Sequence, residues 1–411
     1  MNWIISTSYR EGAISAIAKY GADEGVLDVV YYANPLGALS GLLGSLPPVF
    51  AKLQALSGKR SFTAAPDSKV CSVASGQEFI HATVRSLVAD RFGISPRLMY
   101  WVKEQFDQEV SKRLPVFGDG CVLIGMWGSS AASFQRAGAG CLKVLNYVNS
   151  RPSVHNKLLR DLAGLGPSHP EMIPPRTADR VENEMARADL LLVPSRFVAE
   201  QMPEYRNKVE VIPYGVNPNM FSGRLAPQKP ASAAAEPFTV LFLGQISHRK
   251  GVGILLEAAA RLNSVHFRLV GPCVSRVLLQ SLPKNVEYMG PVVHSQVPSI
   301  MRGSEAFVIP SVEDAYPLVT LEAMATGKPV IVSSNCGTSE LISDRVNGLV
   351  FEAGSVNSLV SCIETLAADC ELRHVIGNNA RDVVESAHTW NHYGQRVFDR
   401  VSCALAVSRA G

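Results

Sequence analysis

The stretch PSVEDAYPLVTLEAMATGKPVIVSS, residues 310–334, decides how the second half of the chain folds. It follows the apolar run Glu305–Ile309, whose β-branched residues and closing proline are typical of a buried strand. Residues 317–325 favour a helix that begins at Pro317, and Gly327 to Pro329 should end it. Val330–Val332 then begins another strand. The stretch therefore predicts the strand–turn–helix–strand unit of a parallel α/β sheet.

Two carboxylates, Asp314 and Glu322, lie in the turn and on the helix of this unit. A helix start at the carboxyl edge of a parallel sheet offers free N–H groups and the positive end of the helix dipole, and this combination suits a phosphate. Carboxylates beside a phosphate would repel it, so we expect both to bind hydroxyl groups. A sugar and a ribose attached to a diphosphate supply such hydroxyls.

This segment resembles the E-x7-E signature of retaining glycosyltransferases with the GT-B fold, particularly glycosyltransferase family 4. The resemblance implies that Asp314 contacts hydroxyls of the donor hexose and that Glu322 contacts the nucleotide ribose. The first acidic position is Asp where the family has Glu, and Glu313 stands just before it. Because the Asp side chain is shorter by one methylene, the resemblance indicates the class of reaction better than it indicates the identity of the sugar.

Two further segments extend the resemblance towards the N-terminus. VEVIPYGVNPNMF, from Val209 to Phe221, resembles the V-I-P-[NY]-G-V-[DN]-x-x-x-F segment with which the family leaves its first domain. ADLLLVPSRFV, from Ala188 to Val198, also matches that domain. The resemblance covers roughly residues 140 to 390, and the first part of the chain is the less similar part.

The segment FLGQISHRKGV lies where a strand ends and a helix begins, and Gly244 would allow a tight turn there. The resemblance implies that Lys250 compensates the charge of the donor diphosphate. The family places an Arg directly after the first glycine, but this chain has Gln245. Arg249 and His248 remain open as substitutes for that missing charge.

The resemblance also assigns the remaining donor contacts. The amides around Leu318 and Val319 would stabilise the departing diphosphate together with Lys250. The loop at Pro291 and Val292 would contact the nucleobase, mainly through its backbone, and this leaves uracil and guanine both open.

The first half of the chain offers two candidate residues. His155, in NSRPSVH, follows a strand that ends near Val148, and the resemblance implies a place close to the transferred sugar. The alternative is an ordinary surface histidine in a helix-capping region. Gly12, in the loop after the first strand, would let the backbone approach the donor or the acceptor.

Three other acidic positions are more ambiguous. Glu182 and Glu184 are expected to be packing groups or interdomain salt-bridge partners rather than catalysts. Gly337–Glu340 resembles the family's G-x-x-E helix start, for which a ligand role and a capped helix with an acidic first turn both remain open.

Strand and helix patterns alternate in both halves, which predicts two doubly wound parallel sheets. The expected fold class is α/β and, by the resemblance, GT-B: two Rossmann-like domains facing a cleft. The predicted units are an acceptor-binding domain over 1–222, a Pro/Ala/Ser-rich linker over 223–237, a nucleotide-sugar domain over 238–390 and a C-terminal helix over 391–411 that could cross back to the first domain.

Composition narrows the class of protein. The 411 residues are 47% hydrophobic and 18% charged, which excludes a disordered chain. A net charge of +3 without a basic block argues against nucleic acid as a partner. The eight cysteines form no CxxC pair, which favours a reducing cytoplasm and indicates neither disulfides nor a cysteine zinc site. No D-x-D pair follows a strand, so we expect no required metal and no other cofactor.

The chain shows no secretory signal pattern, because Met1–Ser6 leads into an ordinary strand. Its most apolar stretch, Pro35–Ala51, contains glycines and a Pro-Pro pair and is too short to span a bilayer. A buried or acceptor-facing helix–loop and contact with the inner membrane surface both remain open for this stretch.

The resemblance implies a cytoplasmic hexosyltransferase of polysaccharide biosynthesis that retains anomeric configuration. A nucleoside diphosphate sugar would be the donor, and a glycan, a lipid-linked sugar or a small molecule the acceptor. The alternative is a non-catalytic or epimerase-like sugar-nucleotide-binding protein of the same fold, motivated by Gln245 and Asp314. A dinucleotide-dependent Rossmann enzyme is disfavoured because no G-x-G-x-x-G follows the first strand. The sequence leaves the sugar, the base, the acceptor and the oligomeric state open.

Overall fold

The computed structural model describes residues 1–7, 12–33, 64–73, 96–118, 120–221 and 237–410. The predictions for Pro35–Ala51 and for the linker over 223–237 lie outside these residues, except at Pro237. Within the described ranges, none of the helices combines the length and the hydropathy that crossing a bilayer requires.

The first half of the chain builds a parallel sheet whose seven described strands lie in the order β3-β2-β1-β4-β5-β6-β7. All residues of β4 and β6 are buried, which explains why these strands are nearly continuous apolar runs. The strands are β1 (Asn2–Thr7), β2 (Leu27–Ala33), β3 (Val70–Val73), β4 (Cys121–Met126), β5 (Cys141–Asn146), β6 (Leu190–Val193) and β7 (Val209–Val211).

The second half repeats this arrangement with six described strands in the order β10-β9-β8-β11-β12-β13, again all parallel. The strands are β8 (Thr239–Leu243), β9 (His266–Val270), β10 (Val286–Gly290), β11 (Ala306–Ile309), β12 (Val330–Ser333) and β13 (Leu349–Phe351). The prediction of two doubly wound parallel sheets is confirmed.

Helices connect the strands in both halves. Those of the first half are α1 (Gly12–Asp23), α2 (Pro96–Arg113), α3 (Ala131–Ala137), α4 (Pro152–Ala163), α5 (Pro175–Arg187) and α6 (Arg196–Ala199). Those that follow are α7 (Val252–Arg261), α8 (Val297–Arg302), α9 (Leu318–Ala325), α10 (Val356–Ala368), α11 (Cys370–Ala387) and α12 (Trp390–Ala410).

Helix α9 begins one residue later than predicted. Pro317 has an extended backbone, with φ −68° and ψ 106°, and precedes the helix instead of opening it. The predicted end is close to the observed one, because α9 stops at Ala325 and Gly327 has a left-handed φ of 72°.

The C-terminal helix α12 packs against the first domain. The ring of Phe398 lies 5.8 Å from the ring of Trp3 and 5.6 Å from that of Tyr20, measured between centroids. At the start of the helix, a Cβ on Gly12 would lie 2.3 Å from a ring atom of Trp390. Because Gly12 has no side chain, α1 and α12 can pack closely at this position.

In each sheet the strand order reverses between two central strands, β1 and β4 in the first and β8 and β11 in the second. The loops after these strands leave a crevice at the carboxyl edge, which is where α/β proteins of this order bind ligands. In the second sheet these loops are residues 244–251 and 310–317. They are the two segments that the sequence analysis singled out.

Gly251, in the first of these loops, packs directly against the second loop and should not tolerate a side chain. Its φ is 69°, and a Cβ would lie 1.7 Å from the carbonyl oxygen of Pro310. Gly164 is a matched control, because its φ is 64° and a Cβ there would meet nothing within 4 Å. Gly164→Ala should cost about 1–2 kcal/mol of unfolding free energy, from the left-handed backbone alone.

Gly251→Ala should cost a further ~1–3 kcal/mol, because the backbone of the neighbouring loop must move. Denaturant unfolding of both variants measures the difference. Equal losses in the two variants would contradict the close approach of Gly251 to Pro310.

Candidate active site

A buried ion pair lies at the carboxyl edge of the second sheet. Lys250, in the loop after β8, forms a salt bridge with Asp314, in the loop after β11, and the two side chains are 18% and 11% exposed. The backbone of Asp314 is fixed on both sides, since its N–H donates to Asn335 at 3.1 Å and its carbonyl accepts from Gly337 at 2.9 Å. The two residues assigned to diphosphate and hexose are thus in direct contact.

Glu322, on α9, is a buried carboxylate with little compensation. Burial raises its pKa, and the nearby His294 lowers it in part. The Nε2 atom of His294 lies 4.0 Å from Oε1 of Glu322, and no hydrogen bond from another described residue reaches this carboxylate. A carboxylate of this kind can accept hydrogen bonds from incoming hydroxyl groups.

The loop after β10 lies beside Glu322. Pro291 is exposed and Val292 is half-buried, and His294 lies two residues after Val292. Because His294 approaches Glu322, the segment assigned to the nucleobase and the carboxylate assigned to the ribose lie on the same side of the second domain.

The other predicted donor contacts lie at the same edge of the sheet. Leu318 and Val319 are half-buried at the start of α9, where the first amides of a helix have no intrahelical acceptor. Gln245 is exposed, directly after β8. The backbone bends at Gly244 without a left-handed φ. Gly271 packs against it, and a Cβ on Gly271 would lie 1.9 Å from the Gly244 carbonyl oxygen.

His155 is buried between the two domains, so the alternative of an ordinary surface histidine is wrong. Its Nδ1 lies 2.8 Å from Oε2 of Glu313, and its Nε2 lies 3.0 Å from the carbonyl oxygen of Glu171. Both ring nitrogens already have a partner, and both partners are acceptors. The histidine therefore joins the first domain to the loop after β11.

Glu313 is the partner that the sequence analysis noted only as a neighbour of Asp314. Burial alone would raise its pKa, but the hydrogen bond from His155 and the charges of His155 and Arg249 lower it to about 2. Nη1 of Arg249 donates to the Glu313 carbonyl at 3.2 Å and lies 3.6 Å from its Oε2. Glu313 is therefore ionised at neutral pH and held from both domains.

Arg249 and His248, the two candidates for the charge that is missing at position 245, both have other partners. The guanidinium of Arg249 donates to the Glu313 carbonyl, and Nε2 of His248 lies 3.2 Å from the hydroxyl of Ser275. Their role as substitutes stays a prediction.

Glu171 is a functional-site residue that sequence reasoning missed. Its carboxylate, from the loop between α4 and α5, accepts the N–H groups of His248 at 3.1 Å and Arg249 at 2.7 Å. The first domain thereby holds the backbone of the loop that carries Lys250. No periodic pattern or motif marks an isolated carboxylate in an irregular loop.

Glu340 lies in the first turn of a short 3-10 helix, as the alternative of an acidic first turn predicted, although no side chain of the described residues caps that helix. The ligand role stays a prediction. Glu340 also makes an interdomain contact. Its carboxylate accepts the N–H of Phe197, in the first domain, at 2.7 Å. Ser195 donates its hydroxyl to the carbonyl of Ala315 at 2.9 Å beside it. The segment forms a short 3-10 helix that docks on α6.

Glu182 and Glu184 act within the first domain, so the interdomain alternative is wrong for both. Glu182 pairs with Arg151 at 2.8 Å. Glu184 is fully buried and accepts the N–H groups of Gly128 at 2.6 Å and Ser130 at 2.8 Å. Burial raises the pKa of Glu184 to about 7, against the charge of Arg180. This carboxylate holds the loop after β4, at the crevice of the first sheet.

The second half of the chain is similar to known glycosyltransferases. Residues 226–383 match the family model of the glycosyl transferases group 1. An uncharacterized glycosyltransferase of Methanocaldococcus jannaschii is 27% identical over 48% of this chain and 55% of its own length. The lipopolysaccharide 1,2-N-acetylglucosaminetransferase of Salmonella typhimurium is 27% identical over 50% of this chain and 60% of its own length.

A longer match joins this chain to the D-inositol 3-phosphate glycosyltransferase of Paenarthrobacter aurescens, which is 24% identical over 71% of this chain and 74% of its own length. The chain spans only about half the length of the Methanocaldococcus and Salmonella relatives, at 55% and 60%.

Solved structures confirm the fold over nearly all of the chain. Sucrose-phosphate synthase from Thermosynechococcus elongatus superposes with a TM-score of 0.71 at 18% identity, covering 99% of this chain and all of that one. HepE of Anabaena, solved in complex with UDP and glucose, gives a TM-score of 0.63 at 17% identity, covering 98% of this chain and all of that one. The chain has the GT-B fold of glycosyltransferases, and its second domain is similar to the glycosyl transferases group 1.

Proposed function

We propose that the chain is a retaining glycosyltransferase that moves a hexose-type sugar from a nucleoside diphosphate sugar to a glycan, a lipid-linked sugar or a small-molecule acceptor. The observation that carries the proposal is the Lys250–Asp314 pair at the crevice of the second sheet, with the uncompensated Glu322 carboxylate on the helix that follows. The match to glycosyl transferases group 1 and the bound UDP in the similar HepE structure support it.

The donor diphosphate would bind Lys250 and the first amides of α9. A diphosphate is a stronger partner for an ammonium group than a single carboxylate, because it carries more charge. Its arrival would draw Lys250 away from Asp314. The freed Asp314 carboxylate could then accept hydroxyls of the hexose.

The nucleoside would extend along the loop after β10. The ribose hydroxyls would donate to Glu322, and Pro291 and Val292 would contact the base through their backbone. The position of His294 beside Glu322 supports a single subsite for these groups.

The main catalytic requirement is to stabilise the negative charge of the leaving diphosphate. Lys250 and the amides of Leu318 and Val319 are fixed where this charge develops, and preorganised donors of this kind lower the barrier most effectively. We assign no covalent nucleophile, so the leaving phosphate would accept the proton of the acceptor. His155, Glu171 and Glu340 hold the domains together, and such closure excludes water from the cleft.

Glu322→Ala should weaken nucleotide-sugar binding by about 1.5–3 kcal/mol, the range for a hydrogen bond to a charged group. The expected cause is the loss of the ribose contact. Isothermal titration with the preferred donor measures this change, after a thermal-shift screen of nucleotide sugars has identified that donor. Glu371→Ala, at an exposed position on α11, is the control that should leave the affinity unchanged. Unaltered donor affinity in folded Glu322→Ala would refute the ribose assignment.

Lys250→Ala should lower kcat by about 10²–10³, because the charge that Lys250 stabilises grows in the transition state. Steady-state transfer assays measure kcat and KM separately. Lys157→Ala removes an exposed lysine that pairs with Asp161 on α4, and should leave both constants unchanged.

A Lys250→Ala enzyme with wild-type kcat would contradict the catalytic role. A wild-type protein that holds the nucleotide sugar and never releases free diphosphate would instead be a non-catalytic binding protein.

Transfer should survive chelation, because Lys250 and the helix amides supply the positive charge that a metal supplies in other glycosyltransferases. The measurement is the initial rate of sugar transfer in the presence and in the absence of EDTA. A complete loss of transfer that magnesium or manganese restores would show that the chemistry depends on a metal.

A further inference from the structure

A cluster of two histidines and one glutamate spans the two domains beside the Lys250 loop. His169 and Glu171 come from the loop between α4 and α5, and His248 comes from the loop after β8. One ligand atom from each of the three side chains lies within 4.8 Å of the other two, and all three residues are half-buried. We propose that these residues form a binding site for a divalent transition-metal ion of the zinc class, which clasps the first domain to the second.

The carboxylate of this cluster is already fixed in place. Its two oxygens accept the N–H groups of His248 and Arg249 at 3.1 and 2.7 Å. Each carboxylate oxygen has a second lone pair, so a metal can bind without displacing these amides. Outer hydrogen bonds of this kind hold a ligand in one orientation.

Each imidazole has a ring nitrogen that a metal can use. Nδ1 of His169 accepts the backbone N–H of Glu171 in a long hydrogen bond of 3.2 Å. Because this nitrogen has a single lone pair, a metal bound there would replace the hydrogen bond. Nε2 of His248 lies 3.2 Å from the hydroxyl of Ser275. When Nε2 donates to that hydroxyl, the lone pair of His248 is on Nδ1. The two rings stand edge to face, with centroids 5.5 Å apart.

The set of ligands selects the kind of ion. Two imidazoles and one carboxylate suit zinc, which binds three protein ligands at about 2.0–2.2 Å and leaves a fourth position to solvent. Magnesium and calcium prefer oxygen ligands and are disfavoured here. Tetrahedral binding needs ligand atoms about 3.3–3.5 Å apart, which the half-buried side chains can reach by small rotations.

Because the cluster lies between the two domains, a bound ion would restrict their relative motion. His248 belongs to the second domain, while His169 and Glu171 belong to the first. An ion bound by all three therefore favours the arrangement of the two domains in this structure, in which the two loops are in contact. The ion would lie outside the Lys250–Asp314 pair and take no part in the transfer chemistry.

The test is an isothermal calorimetric titration of the metal-stripped full chain with Zn²⁺. A titration with Mg²⁺ is the comparison. One saturable zinc per chain is expected. His169→Asn and His248→Asn should each weaken it by on the order of 100-fold, since even the loss of an outer supporting group costs 10–100-fold. His266→Asn is the matched control: this partly exposed imidazole lies near Glu287 on β10 and should not affect binding.

The absence of a saturable zinc site would overturn the proposal. Equal affinity in the wild type and both variants would place the ion elsewhere, such as on the exposed thiols of Cys370 and Cys403, and would also overturn it.

A second measurement needs no variant. Zinc should slow amide hydrogen exchange at residues 169 and 171 and at residues 248–249 together, because the ligands come from both loops. Protection of only one of these segments, or of neither, would show that the ion does not join the domains.

Discussion

The parallel pairing of β8 with β11 is the constraint on which the rest of the second domain depends. Val240 and Leu241 lie opposite Ala306 and Phe307, so the two strands end side by side. Their loops then run together, with the Val312 N–H donating to the Arg249 carbonyl at 2.9 Å. This contact brings a lysine and an aspartate from distant parts of the chain into one ion pair. A slip of one residue would turn each side chain to the opposite face of the sheet.

The central strands and the Lys250, Asp314 and Glu322 positions could be predicted from the sequence, because each depends on local patterns. A fully buried parallel strand is a continuous apolar run, and the family resemblance fixes the spacing of the loops that follow. The sequence patterns do not predict the edge strands β3, β7 and β13. They have three or four residues, which is too short for a hydrophobic period to appear.

The interdomain contacts could not be predicted, because no local pattern records which loop meets which across a cleft. Glu171 binds amides of the second domain, and Glu313 receives its hydrogen bond from a histidine of the first. Gly12 illustrates the same limit. A glycine after a first strand suggests approach to a ligand, whereas its neighbour in the structure is the ring of Trp390, near the end of the chain.

Three consecutive residues connect the candidate site to the domain interface. His248 and Arg249 are held by Glu171 of the first domain through their N–H groups, and the side chain of Arg249 reaches Glu313. Lys250, the next residue, faces Asp314. A ligand that draws Lys250 away from Asp314 therefore acts on a backbone that the other domain already holds. Because Glu313 and Asp314 are also adjacent, each side of the ion pair is covalently joined to an interdomain contact. We therefore expect ligand binding at Lys250 to be coupled to closure of the cleft.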